Sequence, residues 1–297
     1  MPVEAIVTTP PYAPFLEAVA AHPIVRGFRL NTVMPLKEGP SEALERLSKY
    51  CQPLWVDLKG RQLRVVGAAI PPFTEVQLSH PIVVETPTDA FFSDGNELAR
   101  VAAVDGNRLI LEDGPRRLIG PGESVNIIDP TFKVLGTLTE LDRAYLAAMR
   151  ELGMSKVMLS YVESQADVDE VKQLLPGAEV VLKIESQTGL RFAQVHGPKH
   201  GRLMAARGDL YVEVLRPHRM AAALLQIIRA DPQAIVASRI FDSLAYDAIP
   251  TSADIGDAAF LMTIGYRSFM FGDRVCLKEE TIIQALNLLE ALGNDLT

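Results

Sequence analysis

Eight apolar runs of four to six residues recur along this 297-residue chain: Ala5–Thr8, Phe28–Asn31, Leu54–Asp57, Lys156–Ser160, Val180–Glu185, Arg202–Ala206, Ala234–Ser238 and Ser268–Gly272. Runs this short, apolar at consecutive positions, suit strands covered on both faces, as in a parallel sheet flanked by helices. Between them lie stretches of helical period. Ser41–Tyr50 sets Ala43, Leu44 and Leu47 on one stripe, and Ala166–Leu175 does the same with Val168, Val171, Leu174 and Leu175. Eight strands alternating with helices favour a closed (β/α)8 barrel of the TIM type over an open sheet, and the chain exceeds the roughly 250 residues that such an α/β fold needs.

The excess falls in one place. Between residues 67 and 132 the helical period disappears, and the turn signals Asp94-Gly95, Asp105-Gly106-Asn107, Asp113-Gly114-Pro115 and Gly120-Pro121-Gly122 separate short runs such as Val101–Val104 and Arg108–Glu112. Turns at that density predict a small inserted antiparallel β domain. The barrel domain is therefore expected to comprise residues 1–66 and 133–297. It resumes at Thr139, where Asp142 three residues on resembles a capping box.

An apolar fraction of 48% with 22% charged residues describes an ordinary globular chain. The net charge of −8 argues against a nucleic-acid partner, because binding phosphate backbones needs a basic face. Two cysteines, Cys51 and Cys276, read as reduced core residues, and no His or Cys spacing suggests zinc. The N-terminus lacks the basic and apolar segments of a secretory signal, and no window reaches the ~18 apolar residues of a membrane span. A cytoplasmic protein with no membrane partner is expected. The five histidines sit in loop-like sequence and are expected at the surface. Helix faces such as Thr281–Leu292 suit packing in a homo-oligomer as well as against the barrel.

In such barrels the catalytic groups come from the C-terminal ends of the strands, and here those ends are charged. They carry Arg29 and Asn31, Asp57 and Lys59, Ser160, Lys183 and Glu185, Arg207 and Asp209, Ser238 and Arg239, and finally Asp273 and Arg274. Glu185 and Asp209, from adjacent strands, are expected to hold one divalent cation, Mg²⁺ with Mn²⁺ as an alternative, since few protein oxygens completed by substrate suit Mg²⁺. The competing reading is that these acids neutralise Lys183 and Arg207. Arg29, Lys59, Arg64 and Arg207 are placed to surround a phosphate or carboxylate. Lys183 lies two residues before Glu185, on the same side of the strand. Near a metal and other cations its proton affinity is expected to fall, which suits acid–base work or enolate stabilisation. Ser238 reads either as a proton relay or as a helix cap.

These residues resemble pyruvate kinase. Phe28-Arg29-Leu30-Asn31 looks like that family's ARLN segment, Val56–Arg64 like LDTKGPEIR, and Leu182-Lys183-Ile184-Glu185-Ser186 like SKIEN. Ala206-Arg207-Gly208-Asp209-Leu210 is similar to ARGDLG, Ala237–Ser243 to ATQMLES, and Pro250–Asp257 to PTRAEGSD. The matches run in family order, and the inserted β module falls where the family carries its lid domain. The resemblance implies Mg²⁺ on Glu185 and Asp209, Lys183 facing the transferring phosphoryl group or the enolate, and Arg29 on the phosphoryl group. The main chain of Ala206, Arg207 and Gly208 would hold the pyruvate carboxylate, and Ser238 would replace the family's proton-relay Thr.

The departures carry their own expectations. The family's Ser and His after RLN are Val33 and Met34 here, and the Thr of LDTKG is Leu58. A potassium site built on the family pattern would keep only Asn31 and Asp57 and is not expected. Arg61 replaces a proline and Arg239 a glutamine, suggesting a second acidic group on the substrate. The family's C-terminal domain has no counterpart in this sequence. The substrate is expected to be phosphoenolpyruvate, pyruvate or a related 2-oxo acid, used by phosphoryl transfer or by enolpyruvate chemistry. A citrate lyase β-subunit-like aldolase and a non-catalytic phosphoenolpyruvate-binding sensor stay open as alternatives.

Overall fold

In the computed structural model, which describes residues 2–67, 75–93, 95–113, 115–214 and 216–296, the eight apolar runs become eight parallel strands of a closed barrel. In chain order they span Glu4–Thr8, Val25–Asn31, Leu54–Leu58, Lys156–Leu159, Glu179–Ile184, Arg202–Ala206, Ile235–Ala237 and Ser268–Phe271. Each pairs with its neighbour in sequence, and the first closes against the eighth in the register Glu4↔Ser268 to Val7↔Phe271.

Successive side chains on a strand point to opposite faces, and this sorts the apolar residues into two layers. Leu54, Val56, Leu58, Val180, Leu182 and Ile184 face outward into the large core shared with the helices. Ile6, Trp55, Met158, Val181, Met204, Ile235 and Met270 fill the barrel interior. Burying a side chain of this size stabilises by about 1.5–3 kcal/mol. Gly27 makes room for the indole. A Cβ there would lie 3.2 Å from Trp55 Nε1, so a larger residue would force apart the second and third strands.

The same alternation carries polar groups to the mouth. Two residues beyond Ile6, Trp55, Met158 and Val181 come Thr8, Asp57, Ser160 and Lys183, all buried. The interior is thus apolar at its floor and charged at its C-terminal rim.

The helix Glu140–Glu151 starts with the expected capping box. Asp142 N donates to Thr139 Oγ1 at 3.0 Å, and Thr139 N donates back to Asp142 Oδ2 at 2.9 Å. Such a cap stabilises a helix by about 1 kcal/mol. Asp142 also accepts from Lys59 N (2.8 Å) and Gly60 N (3.2 Å), so the cap fixes the turn after the third strand. Gly60 needs that turn: its φ is +50°, and a Cβ would lie 2.7 Å from Ser160 O.

The insertion forms a five-stranded antiparallel sheet in the order Glu75–Gln77, Arg108–Asp113, Glu97–Asp105, Thr88–Phe92, Val125–Ile127. A separate pair joins Ile82–Val83 to Lys133–Val134. Thr88–Phe92 alternates buried and half-buried residues, the pattern of a strand with one face on a core, here that of Val76, Leu78, Phe92, Val101, Leu109 and Ile127. Of the turn signals, Asp105-Gly106-Asn107 and Gly120-Pro121-Gly122 lie at turns, with Gly106 and Gly122 at positive φ. Asp94 and Gly114 lie outside the described residues. One histidine departs from expectation. His80 is buried at 4% exposure because it lies between the short Ile82–Val83 pairing and the barrel side, next to Ser79, whose Oγ is 3.0 Å from its Nδ1. His218 is exposed, and His22, His196 and His200 are partly so.

Candidate functional site

Asp57 is the hub of the barrel mouth. It is fully buried and receives hydrogen bonds from Arg29 through Nε (2.7 Å) and Nη2, and from Lys183 Nζ at 3.2 Å. Lys59 Nζ lies 3.5 Å away. Ser160 Oγ accepts from Lys183 Nζ at 2.6 Å and donates to Asp57 Oδ1 at 3.4 Å. Burial opposes ionisation of Asp57, but Lys183, Lys59 and Arg29 outweigh it and hold the carboxyl well below the usual range. Arg29 continues the network to Thr8 Oγ1 and Asp273, both at 3.2 Å, and Asn31 Nδ2 also donates to Asp273. Three basic side chains thus share one buried carboxylate.

The two lysines differ. For Lys183 the balance struck by the protein groups alone runs against the loss of proton affinity expected beside a metal. Burial does lower it, but Asp57 and Glu185 (Nζ to Oε1 3.3 Å) outweigh burial, and its pKa is raised. For Lys59 burial outweighs its pairing with Asp57, and Lys183, Arg29 and Arg64 also oppose its charge, so its pKa falls to about 7. Lys59 is therefore the lysine suited to exchanging a proton near neutrality.

Glu185 and Asp209 stand beside this group, both buried. Glu185 Oε2 accepts from Tyr161 N at 2.8 Å. Burial first, then the nearby charge of Asp209, raise its pKa, partly offset by Lys183. Asp209 accepts from Gln62 Nε2 and from Asn126 Nδ2, the latter at 3.2 Å. Glu213 lies one helical turn beyond Asp209 on Arg207–Glu213 and is pushed up to about 8 by burial and by Asp209, Glu163 and Glu185. Adjacent buried carboxylates, one of them raised in pKa by burial and by its neighbour's charge, fit a divalent cation, which would relieve that cost. Among the described residues no group of three or more His, Cys, Asp or Glu side chains is placed to hold a metal, so protein ligation would stop at the two carboxylates. The residues do not fit potassium: Asp57 is held by Arg29, Lys59 and Lys183, and Asn31 Oδ1 accepts from Val33 N at 3.3 Å.

Other expected site residues are drawn elsewhere. Arg207 does not join Arg29 and Lys59. Its guanidinium forms two 2.8 Å bonds to Asp257 and donates to the carbonyls of Ser238 and Arg239, because as the first residue of its helix it leans toward the turn after the seventh strand. It therefore does not pair with Asp209 either; of the two competing ion pairs only Lys183–Glu185 forms. Arg64 turns to the insertion, donating to Gly122 O (2.8 Å) and Gln62 Oε1. Arg61 is clamped by Asp167 at 2.6 Å, and Arg239 lies exposed over the Tyr211 ring, 4.4 Å from its centroid. Each of these last two has its own partner, which corrects the expectation of a shared anion site. Ser238 and Arg239 adopt positive φ, +70° and +57°, a strained turn that sets the Ser238 hydroxyl 3.9 Å from the Cβ position of Gly208. Ala206 and Gly208 flank the start of Arg207–Glu213, where the first N–H groups have no partner within the helix.

Sequence reasoning passed over Gln62, Asn126, Tyr161 and Glu213 as members of this assembly, whereas Asp273, read from the sequence as a residue of the mouth, does join it. Signals existed for two: Asn126 is polar between Val125 and Ile127, and Glu213 follows Asp209 at the i,i+4 spacing that places both on one helix face.

The pyruvate kinase barrel-domain family model matches residues 80–274. A pyruvate kinase from Methanocaldococcus jannaschii is 25% identical over 89% of this chain and 70% of its own length. One from Agrobacterium vitis is 29% identical over 70% of this chain and 43% of its own, and one from Borreliella burgdorferi is 23% identical over 83% and 58%. The matches thus span between 43% and 70% of the length of these curated relatives. A crystal structure of a pyruvate kinase from Cryptosporidium parvum shares the fold with a TM-score of 0.79 at 16% identity, covering 100% of this chain and 70% of that one.

Proposed function

The chain belongs to the pyruvate kinase family, and from that premise we propose that its barrel mouth is the active site of a Mg²⁺-dependent enzyme acting on phosphoenolpyruvate or pyruvate. The observation that carries the reading is the adjacency of two opposite groups: Arg29, Lys59 and Lys183 gathered on one carboxylate, and the buried pair Glu185 and Asp209 beside them. A substrate with a phosphoryl group, a carboxylate and an enol oxygen needs cationic protein groups on one side and a divalent ion on the other.

Glu185 and Asp209 would hold the ion, which when bound supplies positive charge to the phosphoryl and enolate oxygens. Arg29, its guanidinium already oriented by Asp57, Thr8 and Asp273, binds the phosphoryl group through its remaining Nη2 N–H. Lys183, kept charged by Asp57 and Glu185, stabilises negative charge as it develops on the transferring group or the enolate. Lys59 holds or releases a proton at Nζ near neutral pH, with the Ser238 hydroxyl as the alternative donor to the enolate carbon. The N–H groups opening Arg207–Glu213 orient the substrate carboxylate. The insertion, residues 67–132, reaches the site through Asn126 and keeps water from the reacting groups.

³¹P NMR of the protein with Mg²⁺ and phosphoenolpyruvate, with and without ADP, tests the proposal. Appearance of ATP establishes phosphoryl transfer to nucleotide, and consumption of phosphoenolpyruvate without ADP establishes a diverged reaction at the same centre. An unchanged spectrum under both conditions overturns the enzymatic reading.

A further inference from the structure

Next to the carboxylate pair runs a cleft of about 590 Å³, bounded by the insertion's segment from Val125 to Leu135 and by the loops after the fourth and fifth barrel strands. Its inner end is formed by Asn126, Tyr161 and Glu213 and its outer end by Arg191 and Lys133. The groups assigned to phosphoenolpyruvate above, Arg29, Lys59 and Lys183, do not line it.

Two independent features point to a ligand. Asn126 is 1% exposed, and its Nδ2 donates to Tyr161 Oη (2.6 Å), Asp209 Oδ1 (3.2 Å) and Glu213 Oε1 (3.3 Å). The Asp209 carboxylate fixes which way the amide faces, and this leaves Asn126 Oδ1 buried with no hydrogen-bond partner. A buried carbonyl without a donor is destabilising, and a ligand hydroxyl would supply the missing donor. At the other end, Arg191 is exposed and forms no ion pair; its guanidinium bonds only Thr188 Oγ1 at 2.9 Å. Lys133 is exposed and likewise has no ion pair among the described residues. Between the ends, Ile127, Phe132 and Leu135 supply apolar wall. The free cations lie at the mouth and the unpartnered carbonyl lies inside, so the ligand's orientation is set: anion at the mouth, hydroxyl inside.

We propose that this cleft binds a small hydroxylated anion, held by Arg191 and Lys133 through its carboxylate or phosphate and by Asn126 Oδ1 through its hydroxyl. Its role as the second substrate rests on the function proposed above, but its binding does not.

Calorimetry on the full chain tests the site with four probes. Glycerate and glycerol 3-phosphate carry both groups and differ in headgroup, glycerol lacks the anion, and propionate lacks the hydroxyl. At least one of the first two should bind with Kd below about 10 mM. Glycerol and propionate should bind about tenfold more weakly or worse, and the double variant Arg191→Ala, Lys133→Ala should lose a similar factor, as expected for a charge-assisted bond. Both substituted residues are exposed, so the fold should survive, as circular dichroism would verify. No binding by either bifunctional probe, or equal binding to the double variant, overturns the proposal. Phosphoenolpyruvate titrated with Mg²⁺ into both proteins separates the two readings. Equal affinity with weakened glycerate binding supports the cleft as a distinct site, and absence of phosphoenolpyruvate binding from both proteins overturns the function proposed above while the glycerate result still decides the cleft.

Discussion

Lys59→Met keeps the length of a side chain at the barrel mouth and removes its ammonium, which isolates one electrostatic term. Burial lowers the proton affinity of Lys59 more than Asp57 restores it, so Lys59 titrates at about 7 in the folded protein against an ordinary value of 10.5. Between those values the unfolded chain holds a proton that the folded chain has released, and folding stability must rise with pH across that window. Below pH 7 both states are protonated and the contribution is flat. One pH unit inside the window corresponds to ~1.4 kcal/mol, so the rise from pH 7 to roughly pH 10 approaches about 4 kcal/mol. The side chain is only 6% exposed, so solvent screening removes little of it. The assay is urea unfolding of wild type and variant over the same pH series, read as the difference in stability, in which groups that titrate alike in both proteins cancel. Wild type should gain on the variant by several kcal/mol between pH 7 and roughly pH 10. A difference curve level to within about 0.5 kcal/mol would refute the reasoning.

Asp57→Asn removes the carboxylate that Arg29, Lys59 and Lys183 share and should cost about 3–5 kcal/mol in urea unfolding at neutral pH, since it leaves buried cations uncompensated; a loss below about 1 kcal/mol would show that water reaches them. Glu185→Gln should weaken Mg²⁺ binding by more than about 100-fold in calorimetry, because even residues behind the ligands typically cost 10–100-fold, and unchanged affinity would remove Glu185 from the ligand set. Phosphoenolpyruvate affinity in Mg²⁺ buffers should agree within about twofold whether the monovalent cation is K⁺ or tetramethylammonium, whereas a gain of about tenfold in K⁺ would reveal a coupled potassium site.

The sequence by itself determined the barrel and the identity of most of its rim. Consecutive apolar residues can be buried on both faces only in a covered sheet, so eight such runs separated by amphipathic helices leave little choice of architecture. Period-two alternation then carries Asp57, Ser160 and Lys183 inward from Trp55, Met158 and Val181, as legible before folding as after. The Thr139–Asp142 cap was readable for the same reason: its partners are three residues apart.

Tertiary structure decided which charges meet. Arg29, Asp57 and Lys183 come from three strands and converge only when the barrel closes, and Arg207 leaves the group for Asp257, 50 positions on. The same closure sets the two lysines apart. Lys183 gains two carboxylates and keeps its proton, whereas Lys59 gains one and is buried beside cations, a balance of desolvation against Coulomb attraction that depends on distances no local pattern contains. Asn126 joins the site only because the inserted sheet packs against the barrel rim, bringing an amide 83 residues distant in sequence to Asp209. Local periodicity fixes secondary structure because its causes lie within a few residues; the chemistry of the rim depends on long-range approach, which exists only in the folded chain.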